Sequence, residues 1–181
     1  MSTASRYSLN KSKYLLDPEV QQLTHLLKSH IDRDKRNCTL LFLGLHTGGR
    51  AQELLQIRHS DLDSHHETVL IRGLKGSNDR EIPVASWLFR ELTRVSEEQL
   101  QAGSGEFVFP ISYNRLYQIW DFYRPVAKKF HSLRHTFAIR LYKKTRDIRL
   151  LQVALGHRNI ANTMIYADYV YSQSELRRLL L

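Results

Sequence analysis

Six side chains of this 181-residue sequence are of types that can handle phosphate without a metal. Arg50 follows a Thr47-Gly48-Gly49 break and opens a helical run. Lys75 stands at a hairpin turn. His131 and Arg134 sit together in HSLRH, His157 closes an LGH triplet, and Tyr166 lies nine residues further on. A guanidinium presents a planar fork to phosphate oxygens. A phenol becomes a nucleophile once it loses its proton, and imidazole can take that proton. Taken together, the set points to phosphoryl transfer assisted by cationic side chains. Singly each is weak, since a lone arginine is usually a surface charge and a lone tyrosine half-buried packing.

Other chemistries find no support. There is no GxxxxGK[ST] loop for nucleotide hydrolysis. His131 and His135 have the i, i+4 spacing of a metal pair, but the glutamate of HExxH is missing and Arg134 stands beside them. The carboxylates after residue 110 (Asp121, Asp147, Asp168 and Glu175) do not cluster as a two-metal nuclease requires. A single cysteine, Cys38, excludes an internal disulfide framework and a multi-cysteine zinc site. No metal and no cofactor are expected.

Charge names the partner. Lys and Arg number 27 against 18 Asp and Glu. Residues 1–109 carry 14 of each sign, whereas residues 110–181 carry 13 basic and 4 acidic residues, so the whole net charge of +9 falls on the last 72 positions. A basic field confined to one region points to a polyanion, nucleic acid first and an acidic membrane surface second, with a solvated basic face as the bland alternative. Lys143, Lys144 and Arg158 are candidate phosphate contacts there. No apolar run reaches the ~18 residues of a membrane span. The opening MSTASRYSLNKSKY holds no apolar stretch, so a cytoplasmic, nucleoid-associated protein is expected.

These residues need elements to hold them. Residues 1–16 read as a polar arm and 17–181 as one domain. Asp17 caps a helix with Val20, Leu23, Leu26 and Leu27 at helical spacing. Helices are predicted over Asn37–His46, Arg50–Arg58 and Ser86–Gln101, the last with Trp87, Leu88, Leu92, Val95 and Leu100 as core candidates. Others are predicted near 112–122, 132–145, 147–155, 159–167 and Ser174–Leu181. Glu67–Gly73 and Arg80–Val84 read as strands of a hairpin around Gly76-Ser77-Asn78-Asp79. The class is mainly α with a small antiparallel β-sheet (α+β).

In this order the motifs resemble those of the tyrosine recombinase, or phage integrase, family, from about Tyr14 to Tyr171. HTGGRAQELLQIRHSDLD is similar to the first arginine box, with Arg50, Glu53 and Asp61 at its matching positions. LKGSNDREIPV resembles the lysine hairpin. HSLRHTFAIRL matches H-x-L-R-H-T-F-A, and LQVALGHRNIANTMIY resembles the LGH box followed by its tyrosine. Gly49 stands where the family usually has an apolar residue, and Asn78-Asp79 where the hairpin turn often carries a second base.

The resemblance implies the recombinase catalytic-domain fold and a site-specific recombinase that cuts and rejoins double-stranded DNA through a 3′-phosphotyrosyl link. It assigns Tyr166 as nucleophile, with Tyr169 and Tyr171 as competitors. Arg50 and Arg134 would hold the non-bridging oxygens, His131 would be the base, Lys75 the general acid, and His157 a phosphate contact. Glu53, Asp61 and His135 would support them. A separate core-binding domain, usual ahead of the catalytic one, has no counterpart in this sequence. The chain therefore reads as an excised catalytic domain or as a short recombinase like the fimbrial phase-variation invertases. Leu176, Leu179, Leu180 and Leu181 would form a tail passed between four protomers on paired sites. A type IB topoisomerase-like enzyme and a non-catalytic DNA-binding regulator are the alternatives.

Overall fold

A helix that is apolar on nearly every side belongs in a core. The NCTLLFLGLH stretch forms α2 (Lys35–Thr47), in which all but Lys35, Arg36 and His46 are buried. The computed structural model describes residues 9–74 and 76–170, with 177, 180 and 181. Around α2 pack α1 (Asp17–His30), α4 (Ser86–Gln101) and α6 (Ser132–Thr145). The short α3 (Ala51–Leu55) packs on α2 and on α5 (Tyr113–Tyr123), while α7 (Ile148–Leu155) and α8 (Ala161–Val170) lie against α6. Strands β1 (Leu62–Asp63), β2 (Thr68–Ile71) and β3 (Arg80–Pro83) make one antiparallel sheet in chain order. The class is mainly α with a small three-stranded sheet.

Two apolar clusters share α6 as a wall. The larger gathers α1 to α5, the sheet and Leu133. The smaller joins Ala138, Ile139 and Tyr142 of α6 to Leu151 and Leu155 of α7 and Tyr166 and Ala167 of α8. Arg134 and His135 are thus buried between layers that the two clusters stabilise.

Several expectations differ in detail. Asp17 is the first residue of α1 rather than its cap. Glu19 takes the Leu16 N–H at 2.7 Å and satisfies that helix end instead. The helix expected to Arg58 stops at Leu55, because the next residues pair across the fold: Ile57 O accepts from Val108 N, and His59 N donates to Glu106 O. Leu100 is 55% exposed near the end of α4, and Phe89 takes the core place instead. Of the expected arm, residues 9–16 lie against the domain, with Leu9, Tyr14 and Leu15 buried and Leu15 N donating to Thr136 Oγ1. Lys75, Tyr171 and most of the expected Ser174–Leu181 helix lie outside the described residues. Among the described residues no helix is long and apolar enough to cross a membrane.

The hairpin reaches the end of α7 through one glycine. Gly156 ends α7 in the left-handed conformation (φ 69°). A Cβ there would stand 2.7 Å from Asn78 O and 3.0 Å from Arg80 Nη1. Asn78 N donates to Gly156 O at 2.9 Å, and Ser77 forms a single bridge with His157. Gly156→Ala should therefore destabilise the fold by about 2–4 kcal/mol, combining the left-handed cost of ~1–2 kcal/mol with backbone displacement. Gly103→Ala should lose only the first part, since its φ is 66° with nothing within 4 Å of a Cβ. Urea unfolding of both variants checks this, and equal losses would contradict the close approach.

Candidate active site

The first arginine sits where a helix begins. Arg50 is the residue before α3, and its backbone N–H donates to Glu53 Oε2 at 2.9 Å, a reciprocal cap that fixes where its side chain leaves the chain. Arg50 Nη1 reaches Glu53 Oε1 at 2.8 Å and also donates to Ser77 Oγ. Glu53 is 1% exposed. Arg80 Nη2 donates to its Oε2 at 2.7 Å, and Arg134 Nη1 lies 4.0 Å from the same oxygen. Burial alone would raise the Glu53 pKa. The hydrogen bond and charge of Arg80, the Arg50 N–H and the Arg134 charge overcome it and hold the carboxyl at about 2.

The second arginine is anchored more deeply. Arg134 is 2% exposed on the first turn of α6. Its Nη1 donates to Gly48 O at 2.7 Å, so the Thr47-Gly48-Gly49 break supplies an acceptor as well as a turn. Its Nη2 donates to Leu155 O at 2.8 Å and to His157 Nε2 at 2.9 Å. Burial and the nearby Arg50 lower the Arg134 pKa to about 9, which leaves it charged at neutral pH. Arginine cannot accept a hydrogen bond. His157 Nε2 is therefore the accepting nitrogen, and Nδ1 carries the hydrogen toward Thr163 Oγ1 at 2.9 Å. Desolvation and the charges of Arg134, Arg50 and Arg80 depress the His157 pKa to about 3, in keeping with a neutral ring.

Tyr166 is 2% exposed, and its hydroxyl is 2.9 Å from His135 Nδ1. His135 in turn meets His131 edge to face, with ring centroids 4.7 Å apart. Desolvation and the neighbouring His131, Arg134 and Lys13 push the His135 pKa down to about 3. His131, just before α6, keeps an exposed edge while its ring packs against His135 deep in the surrounding structure, and that desolvation, with the Arg134 and Arg50 charges, lowers its pKa to about 4. His131 is also the wall between two clefts. One, of about 310 Å³, is lined by Arg50, Glu53, Leu74, Tyr113 and Tyr117. The other, of about 580 Å³, is lined by Lys13, Lys128, Lys129, Ser132 and His135.

The structure thus brings together Arg50, Glu53, Arg134, His131, His135, His157 and Tyr166, and leaves four expected residues apart from that cluster. Asp61 accepts from Arg58 N at 3.0 Å and pairs with Arg72, so it braces β2 rather than the arginine pair. Lys143 and Lys144 are exposed on the last turn of α6, ~14 Å along the helix from Arg134 at 1.5 Å per residue. Arg158 is exposed beside the hairpin, with Nε 3.3 Å from Asn78 Oδ1. Tyr169, a competing nucleophile, shares its hydroxyl with Tyr14 at 2.9 Å. Sequence reasoning missed Arg80, Ser77 and Thr163. Arg80 had a signal: the alternation of its strand puts it on the same face as Ile82. Ser77 had none, because it acts through Arg50, 27 residues away, and Thr163 meets His157 only through the turn that follows the LGH triplet. Among the described residues no group of three His, Cys, Asp or Glu is placed to hold a metal ion.

Comparison with known proteins adds ancestry to this geometry. The profile described as the Phage integrase family matches residues 13–173. The chain is 30% identical over 166 residues to tyrosine recombinase XerA of Thermococcus kodakarensis, covering 85% of this chain and 57% of that one. It is 31% identical over 165 residues to a tyrosine recombinase of Pseudothermotoga lettingae, covering 87% and 56%. It spans just over half the length of these relatives. The crystal structure of XerA recombinase matches with a TM-score of 0.74 at 23% identity, covering 99% of this chain and 65% of that one, which shows a shared fold.

The depressed histidines make a stability prediction. An unfolded chain takes up protons on His135 and His157 below pH ~6.5, and the folded chain does not until far lower pH. Their contribution is complete above pH 6.5 and is lost as pH falls toward 3. Glu53 acts only below ~4.5, the ordinary glutamate range, because its folded pKa is the lower one. Urea midpoints should therefore fall steadily from pH 6.5 to 4.5, and His135→Gln should flatten the slope. A midpoint unchanged across that window would contradict the neutral, buried assignment.

Proposed function

The chain belongs to the phage integrase family of tyrosine recombinases, and on that premise we propose that it is a site-specific recombinase that cuts and rejoins double-stranded DNA. One observation carries the reading: Glu53 gathers Arg50 and Arg134 beside the His131 cleft, with the Tyr166 helix packed on the same α6 wall. Arg50 and Arg134 bind the non-bridging oxygens of one phosphodiester. Both favour the pentacoordinate species, which carries more negative charge than the ground state.

Tyr166 leaves His135 and attacks phosphorus. Its oxygen gains the bond to phosphorus as the bond to the 5′-oxygen breaks, and a 3′-phosphotyrosyl ester remains. The phenolic proton passes to His131, which desolvation, with the Arg134 and Arg50 charges beside it, keeps neutral at physiological pH. Lys75 gives a proton to the leaving 5′-oxygen. His157 moves its hydrogen from Nδ1 to Nε2, with Thr163 Oγ1 then donating to Nδ1, and donates from Nε2 to the phosphate. Attack by a 5′-hydroxyl on the ester reverses each step and rejoins a strand, so no ATP is consumed. The lysine-lined cleft on the other side of His131 accommodates the adjoining DNA backbone. Assembly of four protomers on two duplexes, with a DNA-associated location in the cell, belongs to the same proposal.

A nicked duplex carrying the cognate site, from which the cut strand's end diffuses away, tests this. Wild-type protein should accumulate a covalent adduct in the presence of EDTA. Tyr166→Phe should bind the same duplex within about twofold of wild type and give no adduct, since it lacks only the attacking oxygen. Adduct at wild-type level in that variant would move the nucleophile to Tyr169 or Tyr171. Loss of adduct in EDTA, restored by magnesium, would overturn the metal-free mechanism.

A further inference from the structure

The strand β3 alternates in burial, with Arg80 and Ile82 on the core face and Glu81 and Pro83 outside. Arg80 thus puts a guanidinium where the pattern calls for an apolar side chain, and it is 5% exposed. Its Nη2 pairs with Glu53 at 2.7 Å with both side chains buried. Its Nε and Nη1 are buried with no hydrogen-bond partner among the described residues. A buried ion pair with unsatisfied donors is a poor stabilising device, since an apolar pair of similar volume usually does as well or better.

What the pair achieves is placement. Glu53 Oε2 is shared between Arg80 Nη2 and the Arg50 N–H, and Oε1 takes Arg50 Nη1. Arg80 also begins the strand that follows the hairpin turn. Within that turn Ser77 receives Arg50 Nη1 and bridges to His157, and the Gly156 Cα faces Arg80 Nη1 and Asn78 O. One buried guanidinium therefore touches or abuts the segments that carry Arg50, Ser77 and His157.

We propose that Arg80 is a positioning residue for strand cleavage, which touches no phosphate itself but holds Glu53 as a carboxylate, so that Arg50 is fixed and the hairpin is seated on the His157 turn. This rests on the reading above, in which Arg50 binds the reacting phosphate. Glu53 is faced by Arg50 from its own helix start, by Arg80 from β3 and by Arg134 from α6, and its charge is felt at His131 and His157. Arg80 supplies the largest force holding the proton off Glu53, against the burial that favours the neutral acid. Without Arg80 the Glu53 pKa rises. A protonated Glu53 is a weaker acceptor, and Arg50 is released as pH falls through the new pKa.

Single-turnover cleavage of the nicked duplex, measured from pH 5 to 8 with the full chain, tests this. The rate of Arg80→Met relative to wild type should be reduced ~10- to 100-fold at pH 8. Below the new Glu53 midpoint it should fall further, by up to about tenfold per pH unit. Arg80→Lys should recover most of the rate and show no extra acid loss. Adding Glu53→Gln to Arg80→Met should abolish the acid loss, because the titrating group is gone. If Arg80→Met does not fold, Arg80→Gln against Arg80→Lys carries the same comparison, with the acid loss expected only in the uncharged variant. A folded, uncharged Arg80 variant whose relative rate is constant from pH 5 to 8, with wild type cleaving normally, overturns the inference alone. A wild type that never cleaves overturns it together with the function on which it rests.

Discussion

A carboxylate with almost no access to water has to be compensated where it stands, and Glu53 sets that condition for this fold. Taking an ionised carboxyl out of water is costly unless charge and hydrogen bonds replace the lost hydration. Three guanidinium groups from three elements converge on this one side chain. Much of the local architecture answers to that need. The β3 register turns Arg80 inward. The Arg50 N–H caps α3 through the same carboxylate. Gly156 allows the hairpin to close on the end of α7 without a side chain in between.

The compensation leaves a strongly cationic interior, and that field sets the state of every other group in the site. Arg134 spends donors on two backbone carbonyls and an imidazole, so its position does not depend on a bound phosphate. Preorganised donors of this kind lose no reorganisation energy when negative charge develops. Desolvation, with the same field added to it, keeps His131, His135 and His157 neutral. Their unprotonated nitrogens can take a proton at physiological pH, and the surrounding positive charge favours the phenolate of a tyrosine whose ordinary pKa is near 10. The Tyr166 hydroxyl is buried against His135 in this arrangement, so on the proposed mechanism it must leave that contact before it can attack.

Much of this was legible from residue order because the boxes are local. The Thr47-Gly48-Gly49 break, the HSLRH turn and the LGH triplet each place a functional side chain at a helix end, where short-range rules of capping and glycine geometry apply. Helices over 86–101 and 132–145 appear at the predicted residues, the first because its apolar periodicity is strong. The network among the boxes was not legible. Arg80 meets Glu53 across 27 residues, and Arg134 meets Gly48 across 86. Asp61 shows the converse, being of suitable type and near a box in sequence yet paired with Arg72 instead. The shortened α3 is a further case, in which pairing of residues 57–59 with 106–108 overrides a helical pattern.

The central claim, that one buried carboxylate stays ionised and thereby gathers the arginines, can be read directly. The side-chain carboxyl carbon of Glu53, assigned by comparison with Glu53→Gln, can be followed by NMR as pH is lowered on the folded protein. It should remain in the carboxylate form to below pH 3 and titrate at about 2. A midpoint at or above the ordinary glutamate value of about 4.3 would show that Glu53 is not held ionised by the three arginines, and would contradict its role in gathering them.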